Sequence, residues 1–293
     1  MNPLVARATS RQLVIADMIA DVTALDDLVD LLDLDPIEVN IFRGHSTDEK
    51  RQRVFGGQVA GQALVAAART VDQSRPVHSL HAYFLRPGDP SRPILYQVDR
   101  LRDGRSFTTR RVVAIQHGEA IFNLQASFHG YEQGPDHQLS MPEGLPDPES
   151  LPGWDERLSP YREQLGELFD RPRPIDLRYV GADPMRRKGT SSSGQQVWLR
   201  ADGNLPDDPV LHACIVTYAS DMTLLDTAVM PFGLAWDSPG MKMASLDHAM
   251  WFHRPFRADE WLLYDQRAIS VTSARGLAGG AIFTSDGRLA VSV

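Results

Sequence analysis

The chain repeats itself. "SLHAYFLRP" (79–87) is echoed by "DHAMWFHRP" (247–255), and "GRSFTTRRVVAIQHG" (104–118) by "ARGLAGGAIFTSDG" (274–287), some 170 residues later. A period that long is no solenoid unit; it is the spacing of a duplicated domain. Whatever the chain folds into must therefore be buildable twice. In the first copy a helical stretch, "FGGQVAGQALVAAARTV" (55–71), precedes β-like runs at 78–87, 93–104, 106–118 and 120–130. Pro-Gly, Asp-Gly and His-Gly pairs mark the turns between them. In the second copy "PIDLRYVG" and "GQQVWLRADG" read as strands and 209–229 as a helix. Further strands follow at 243–256, 261–271, 274–287 and 289–293. A long apolar helix with an antiparallel meander is an α+β arrangement, in which the sheet curls round the helix and buries it.

This reading divides the chain into a helical lead (1–35), a first α+β unit (36–131), a linker rich in proline and acid (132–172) and a second unit (173–293). The lead has Leu25, Leu28, Val29 and Leu32 at helical spacing. The linker carries one short predicted helix near 160–169.

Several function classes are excluded early. Net charge is −8 with the signs mixed, and no basic run suits nucleic acid or an anionic membrane. No apolar run approaches the ~20 residues that span a bilayer. The first residues lack the charged start and long apolar core of a secretory signal. The single cysteine, Cys214, rules out an internal disulfide and suits a cytoplasmic location; it is read as a core thiol. No G-x-S-x-G, G-x-G-x-x-G, phosphate loop, H-E-x-x-H or C-x-x-C is present, so neither a metal nor a cofactor is expected.

One residue does not fit its surroundings. "HACIVTYASDMTLLDTAVM" (212–230) reads as a buried helix, with Ile215, Tyr218, Ala219, Met222 and Leu225 forming an apolar stripe. Asp221 stands at the margin of that stripe, and no Lys or Arg lies between 212 and 230. Three readings are open: a partly exposed helix Asp, an Asp tied to a structural arginine such as Arg254 or Arg275, or a general base. A carboxylate at an apolar margin loses hydration, its pKa rises, and it becomes a better proton acceptor near neutrality.

"VFGGQVAGQALVAA", "HSLHAYFLRPGDP", "GRSFTTRRV", "YASDM" and "LDHAMWFHRPF" together resemble the acyl-CoA thioesterase II (TesB-type) family, from about residue 25 to the end. That resemblance implies a tandem (double) hotdog, each half a long central helix wrapped by a curved antiparallel β-sheet. It implies hydrolysis of acyl-CoA to fatty acid and CoA without metal or covalent intermediate, and a homo-oligomer. The family's catalytic Asp falls on Asp221 and its hydroxyl residue on Ser245. Its glutamine falls, by spacing, two residues beyond Val293, so the protein is expected to continue past that strand. Gly57 and Gln58, in "FGGQ", are candidates for contact with the thioester, because glycines let a backbone approach a ligand closely. His248, the histidine nearest in sequence to this set, is a further candidate for contact with the substrate. Met222, Met243, Met250 and Trp251 are candidate lining for the acyl chain.

Two other functions remain in view. Asp208 and His212 stand near the start of the second helix, where a hotdog hydratase or dehydratase holds its Asp and His. A catalytically impaired acyl-CoA-binding sensor is the alternative outside the enzymes.

Overall fold

The computed structural model describes residues 23–46, 52–181, 192–234 and 238–293. The first 22 residues of the expected helical lead lie outside them. Within the described lead, Ala24–Leu32 is a helix closed by a capping box. Thr23 caps the Asp26 N–H, and the Asp26 carboxylate reaches back to the Thr23 N–H. Leu25, Leu28 and Leu32 are its buried face, as their spacing requires.

Among the described residues, twelve strands form one continuous antiparallel sheet. The first half supplies β1 (Asp35–Glu38), β2 (Ile41–Gly44), β3 (Val77–Phe84), β4 (Ile94–Asp103), β5 (Phe107–Gln116) and β6 (Glu119–His129). The second supplies β7 (Ile175–Val180), β8 (Gly194–Ala201), β9 (Asp247–Phe252), β10 (Leu262–Thr272), β11 (Arg275–Thr284) and β12 (Leu289–Ser292). The order is β1-β2-β4-β5-β6-β3-β9-β12-β11-β10-β8-β7. The halves therefore meet edge to edge where β3 pairs with β9, in register from Ser79–Trp251 to Tyr83–Asp247. Tyr96 on β4 and Tyr264 on β10 are fully buried and occupy corresponding positions in the two halves.

Two long helices fill the concave side. Gly56–Ala68 is buried from Gly57 to Ala67 on every face, which a helix tolerates only when enclosed on all sides. Pro209–Ser220 is buried almost as completely. They pack against each other in opposite directions, and small residues make this close contact workable. A Cβ on Gly57 would fall 2.3 Å from the Tyr218 carbonyl oxygen, and one on Gly61 3.3 Å from that of Cys214. Cys214 is a buried core thiol, and burial raises its pKa.

The second helix is shorter than the sequence predicts. It stops at Ser220, and Leu224–Thr227 is a separate single turn. Asp221 is thus not inside a helix but is its C-cap, and Met222 and Leu225 do not continue its stripe. Similarly, the strand expected over 243–256 begins only at Asp247, leaving 241–246 as an irregular segment.

The proline-rich stretch after residue 131 is a strap rather than a free tether. Gln138 donates to the Gly287 carbonyl at 2.8 Å and accepts from the Leu289 N–H at 3.0 Å. Met141, Leu145 and Leu151 then pack with Trp261 over Trp198, Leu263, Phe283 and Leu289 on the outer face of the second half. Among the described residues, the corresponding first-half face has no such cover over Leu95. Leu95 flanks Arg43 and Ile115 as Leu263 flanks Trp198 and Phe283, yet Leu95 is 42% exposed and Leu263 fully buried. No helix among the described residues is long and apolar enough to cross a membrane.

This asymmetry has an energetic signature. Leu263→Ala leaves a cavity under the strap and should cost about 2–4 kcal/mol in chemical denaturation. Leu95→Ala, at the matching position, should cost under about 1 kcal/mol because its site can collapse into solvent. Equal losses would contradict a second-half face sealed by the strap.

Candidate active site

Asp221 stands where the C-terminal end of one long helix lies beside the N-terminal end of the other. It follows the last residue of the second helix, the end at which backbone carbonyls concentrate negative potential. A carboxylate is disfavoured there. Its relief comes from the first helix, whose opening turn faces it. The Gly57 N–H donates to the carboxylate, and the cap of that helix, Phe55, makes no side-chain hydrogen bond of its own. The carboxylate thus borrows the positive end of one helix to offset the negative end of another.

The glycine pair makes this approach possible. A Cβ on Gly56 would lie 2.6 Å from Asp221 Oδ2 and 2.8 Å from the Phe84 ring. Neither Gly56 nor Gly57 is in a left-handed conformation; both are glycine because of proximity. On the other side, the Ser245 hydroxyl donates to Asp221 Oδ1 at 3.1 Å. Burial raises the Asp221 pKa to about 6 against the opposing effects of the Ser245 hydroxyl, the Gly57 N–H and the positive charge of Arg53. The two arginines considered from sequence are placed elsewhere. Arg254 binds the Leu289 carbonyl and Asp136 in the strap, and Arg275 opens β11 on an exposed turn.

Gln58 and His248 are engaged otherwise than expected. The buried Gln58 amide donates to the His45 carbonyl at 3.1 Å and the Ser46 hydroxyl at 3.3 Å, securing the chain after β2. Its side-chain amide is thus a structural tie to the chain after β2. His248 lies behind the carboxylate, with its Nε2 2.9 Å from the Ser220 hydroxyl. Burial lowers its pKa to about 4, so the ring is neutral at physiological pH and holds Ser220 rather than a substrate. Tyr264 adds to this support by donating to the Ser220 carbonyl at 3.3 Å. Trp251 faces away from the helices and meets His81 edge-on, so it cannot line a path beside Asp221. Met250 is wholly in the core.

The Asp208–His212 pair is dismantled. Asp208 caps its own helix through the Val210 and Leu211 N–H groups, and His212 Nδ1 accepts the Ala258 N–H at 3.1 Å. Three contributors were not found from sequence: Arg53, Phe84 and Tyr264. The only signal was position: Arg53 directly precedes one motif already singled out, and Phe84 lies inside another. Among the described residues, no group of His, Cys, Asp and Glu could hold a metal ion.

Residues 46–129 match the family model for an acyl-CoA thioesterase N-terminal domain, and 175–293 the model for acyl-CoA thioesterase. The chain belongs to the acyl-CoA thioesterase family, of the acyl-CoA thioesterase II (TesB) type. It is 40% identical to human acyl-coenzyme A thioesterase 8 over 274 residues, covering 89% of this chain and 85% of the relative. A crystal structure of acyl-CoA thioesterase II TesB2 from Mycobacterium marinum is 47% identical, with a TM-score of 0.75 over 90% of this chain and 94% of that one. A hot dog fold protein from Alicyclobacillus acidocaldarius is 17% identical, with a TM-score of 0.72 over 91% and 95%. It supports the hotdog fold alone.

The raised carboxyl pKa has a consequence for stability. Between its unfolded value and about 6 the folded protein holds the proton more tightly, so rising pH through that window costs stability. Asp221→Asn, neutral throughout, escapes that cost. Its denaturation free energy should exceed that of the parent by up to about 3 kcal/mol above pH ~7, with the excess shrinking toward zero near pH ~4. An excess that is the same at both pH values would contradict a destabilised carboxylate.

Proposed function

We propose that this chain hydrolyses acyl-CoA to a free fatty acid and CoA, with Asp221 as general base and Ser245 as its water-positioning partner. Family membership makes it a thioester hydrolase of the acyl-CoA class. The observation that supports the residue assignment is the Ser245–Asp221 hydrogen bond of 3.1 Å, held against the opening turn of the first helix.

The steps follow from this arrangement. The first turn of a helix presents N–H groups that have no partner inside it. With its carbonyl oxygen against the Gly56–Gln58 turn, the thioester gains donors for the negative charge that develops there. The Ser245 hydroxyl donates to Asp221 and can accept a hydrogen bond from a water. Asp221 removes that water's proton as its oxygen bonds to the carbonyl carbon. Collapse of the tetrahedral intermediate breaks the carbon–sulfur bond, and the departing thiolate takes the proton back from the Asp221 carboxyl. A base of pKa about 6 is largely ionised at neutrality, yet more basic than an ordinary aspartate.

The finer architecture belongs to the same reading. The two halves form a tandem hotdog, with unit boundaries at 36–131 and 173–293 flanking the strap. β12 pairs with β9 through Val291–Phe252 and Ser292–Trp251, which ties the last strand to the one that follows Ser245. A cytoplasmic location and a homo-oligomer complete the proposal.

Asp221→Asn should lower thiol release from a long-chain acyl-CoA by roughly 10²–10⁴-fold, the usual contribution of a general base. Ser245→Ala should lower it less, and Ser245→Thr, which keeps the hydroxyl, should retain most of it. In the parent enzyme the rate should rise through about pH 6 as Asp221 ionises. Full turnover by folded Asp221→Asn would refute the assignment. Acyl-CoA binding without release of thiol by the unaltered protein would favour a sensor. Addition of water to an enoyl-CoA would favour a hydratase.

A further inference from the structure

Ser245 lies in the irregular segment 241–246, where no helix or strand hydrogen bonds fix the backbone. Its 3.1 Å contact with Asp221 must therefore be held from outside that segment. Two contacts bracket it, and both come from the other half of the molecule. The Phe84 N–H donates to the Leu246 carbonyl at 3.0 Å. The Arg53 guanidinium donates through Nη2 to the Met243 carbonyl, also at 3.0 Å. The first is a backbone contact, so Arg53 supplies the side-chain grip.

Arg53 is also attached to the opposite wall of the site. Its neighbour Val54 is buried and donates its N–H to the Gly88 carbonyl at 2.9 Å. Phe55 then caps the first long helix, and Gly56 and Gly57 open it. One short run of chain therefore carries both the N–H donors facing Asp221 and the guanidinium that holds the segment bearing Ser245.

We propose that Arg53 is a positioning residue for this reaction, locking the Ser245 segment of the second half onto the helix-opening turn of the first. This rests on the reading of Asp221 and Ser245 given above. The side chain is exposed, so its loss leaves the core untouched. It acts on the pair in two ways. It sets the hydroxyl's place through the Met243 carbonyl, and its positive charge favours the ionised Asp221. Among the described residues, the other groups around the carboxylate do not supply that charge. The Ser245 hydroxyl and Gly57 N–H are neutral donors, Tyr264 from β10 remains a neutral phenol, and His248 from β9 is neutral behind Ser220.

The test is to measure kcat and KM for thiol release across about pH 5–9 in Arg53→Gln, Arg53→Lys and Asp221→Asn. Arg53→Gln should lower kcat about ten- to a hundred-fold through misplacement of the hydroxyl, with KM within about two-fold. Its acid limb should move to higher pH, because Asp221 has lost a neighbouring cation. Arg53→Lys should return the limb toward the parent position and recover part of kcat. An unchanged kcat and limb in Arg53→Gln would overturn the proposal. So would a loss confined to KM, which would make Arg53 a substrate contact, or a kcat loss with a fixed limb, which general loosening would produce. If Asp221→Asn is inactive while Arg53→Gln behaves as the parent, only this proposal fails. If Asp221→Asn turns over normally, the underlying assignment fails instead.

Discussion

A single carboxylate placed at the wrong end of a helix organises this molecule. At the C-terminus of Pro209–Ser220, Asp221 meets unfavourable backbone potential and loses hydration. It is tolerable there only because a second helix begins against it. That requirement fixes much else. The two helices must run in opposite directions, they must approach closely enough to need Gly56, Gly57 and Gly61, and the two halves must share a sheet to hold that approach. The basicity proposed for catalysis is what remains of a destabilisation that the fold only partly offsets.

The same logic explains why the opposite end of the helix pair is not a second site. There the first helix ends near Arg69, which binds the Leu34 carbonyl and Asp33. The second helix begins with Asp208, whose carboxylate occupies its own Val210 and Leu211 N–H groups, and with Pro209, which has no N–H to offer. Arg110, fully buried on β5, fills the neighbouring interior and bonds Thr70, Asp103 and two backbone carbonyls. Donors that face an external carboxylate at one end are self-capped at the other.

Much of this was legible in the sequence, for identifiable reasons. The repeat pointed to a unit built twice, and period-2 runs located most of the strands. Asp221 drew attention because it broke a local rule without compensation nearby. What the sequence concealed were interactions between distant residues. The second helix looked longer because Met222 and Leu225 continue its apolar spacing, whereas the chain turns at Asp221 to present the carboxylate. Gln58, beside the glycine pair that lets a ligand approach, and His248, close to Ser245 in sequence, were candidate ligand contacts. Their partners, His45, Ser46 and Ser220, could be found only in three dimensions. Arg53 and Met243 are separated by 190 residues, and nothing local couples them.

The strap bears on how such a divided site persists. The carboxylate and hydroxyl come from one half, and the glycine turn and guanidinium from the other. Were those halves separate chains, their encounter would weaken with every dilution. A covalent connection replaces that dependence with a local concentration of millimolar order, independent of how scarce the protein becomes. Because the connection is also pinned along one sheet, through Gln138 and the Met141–Leu151 stretch, little of its length is left to wander. Assembly of the site thereby becomes a property of one molecule, unaffected by its abundance.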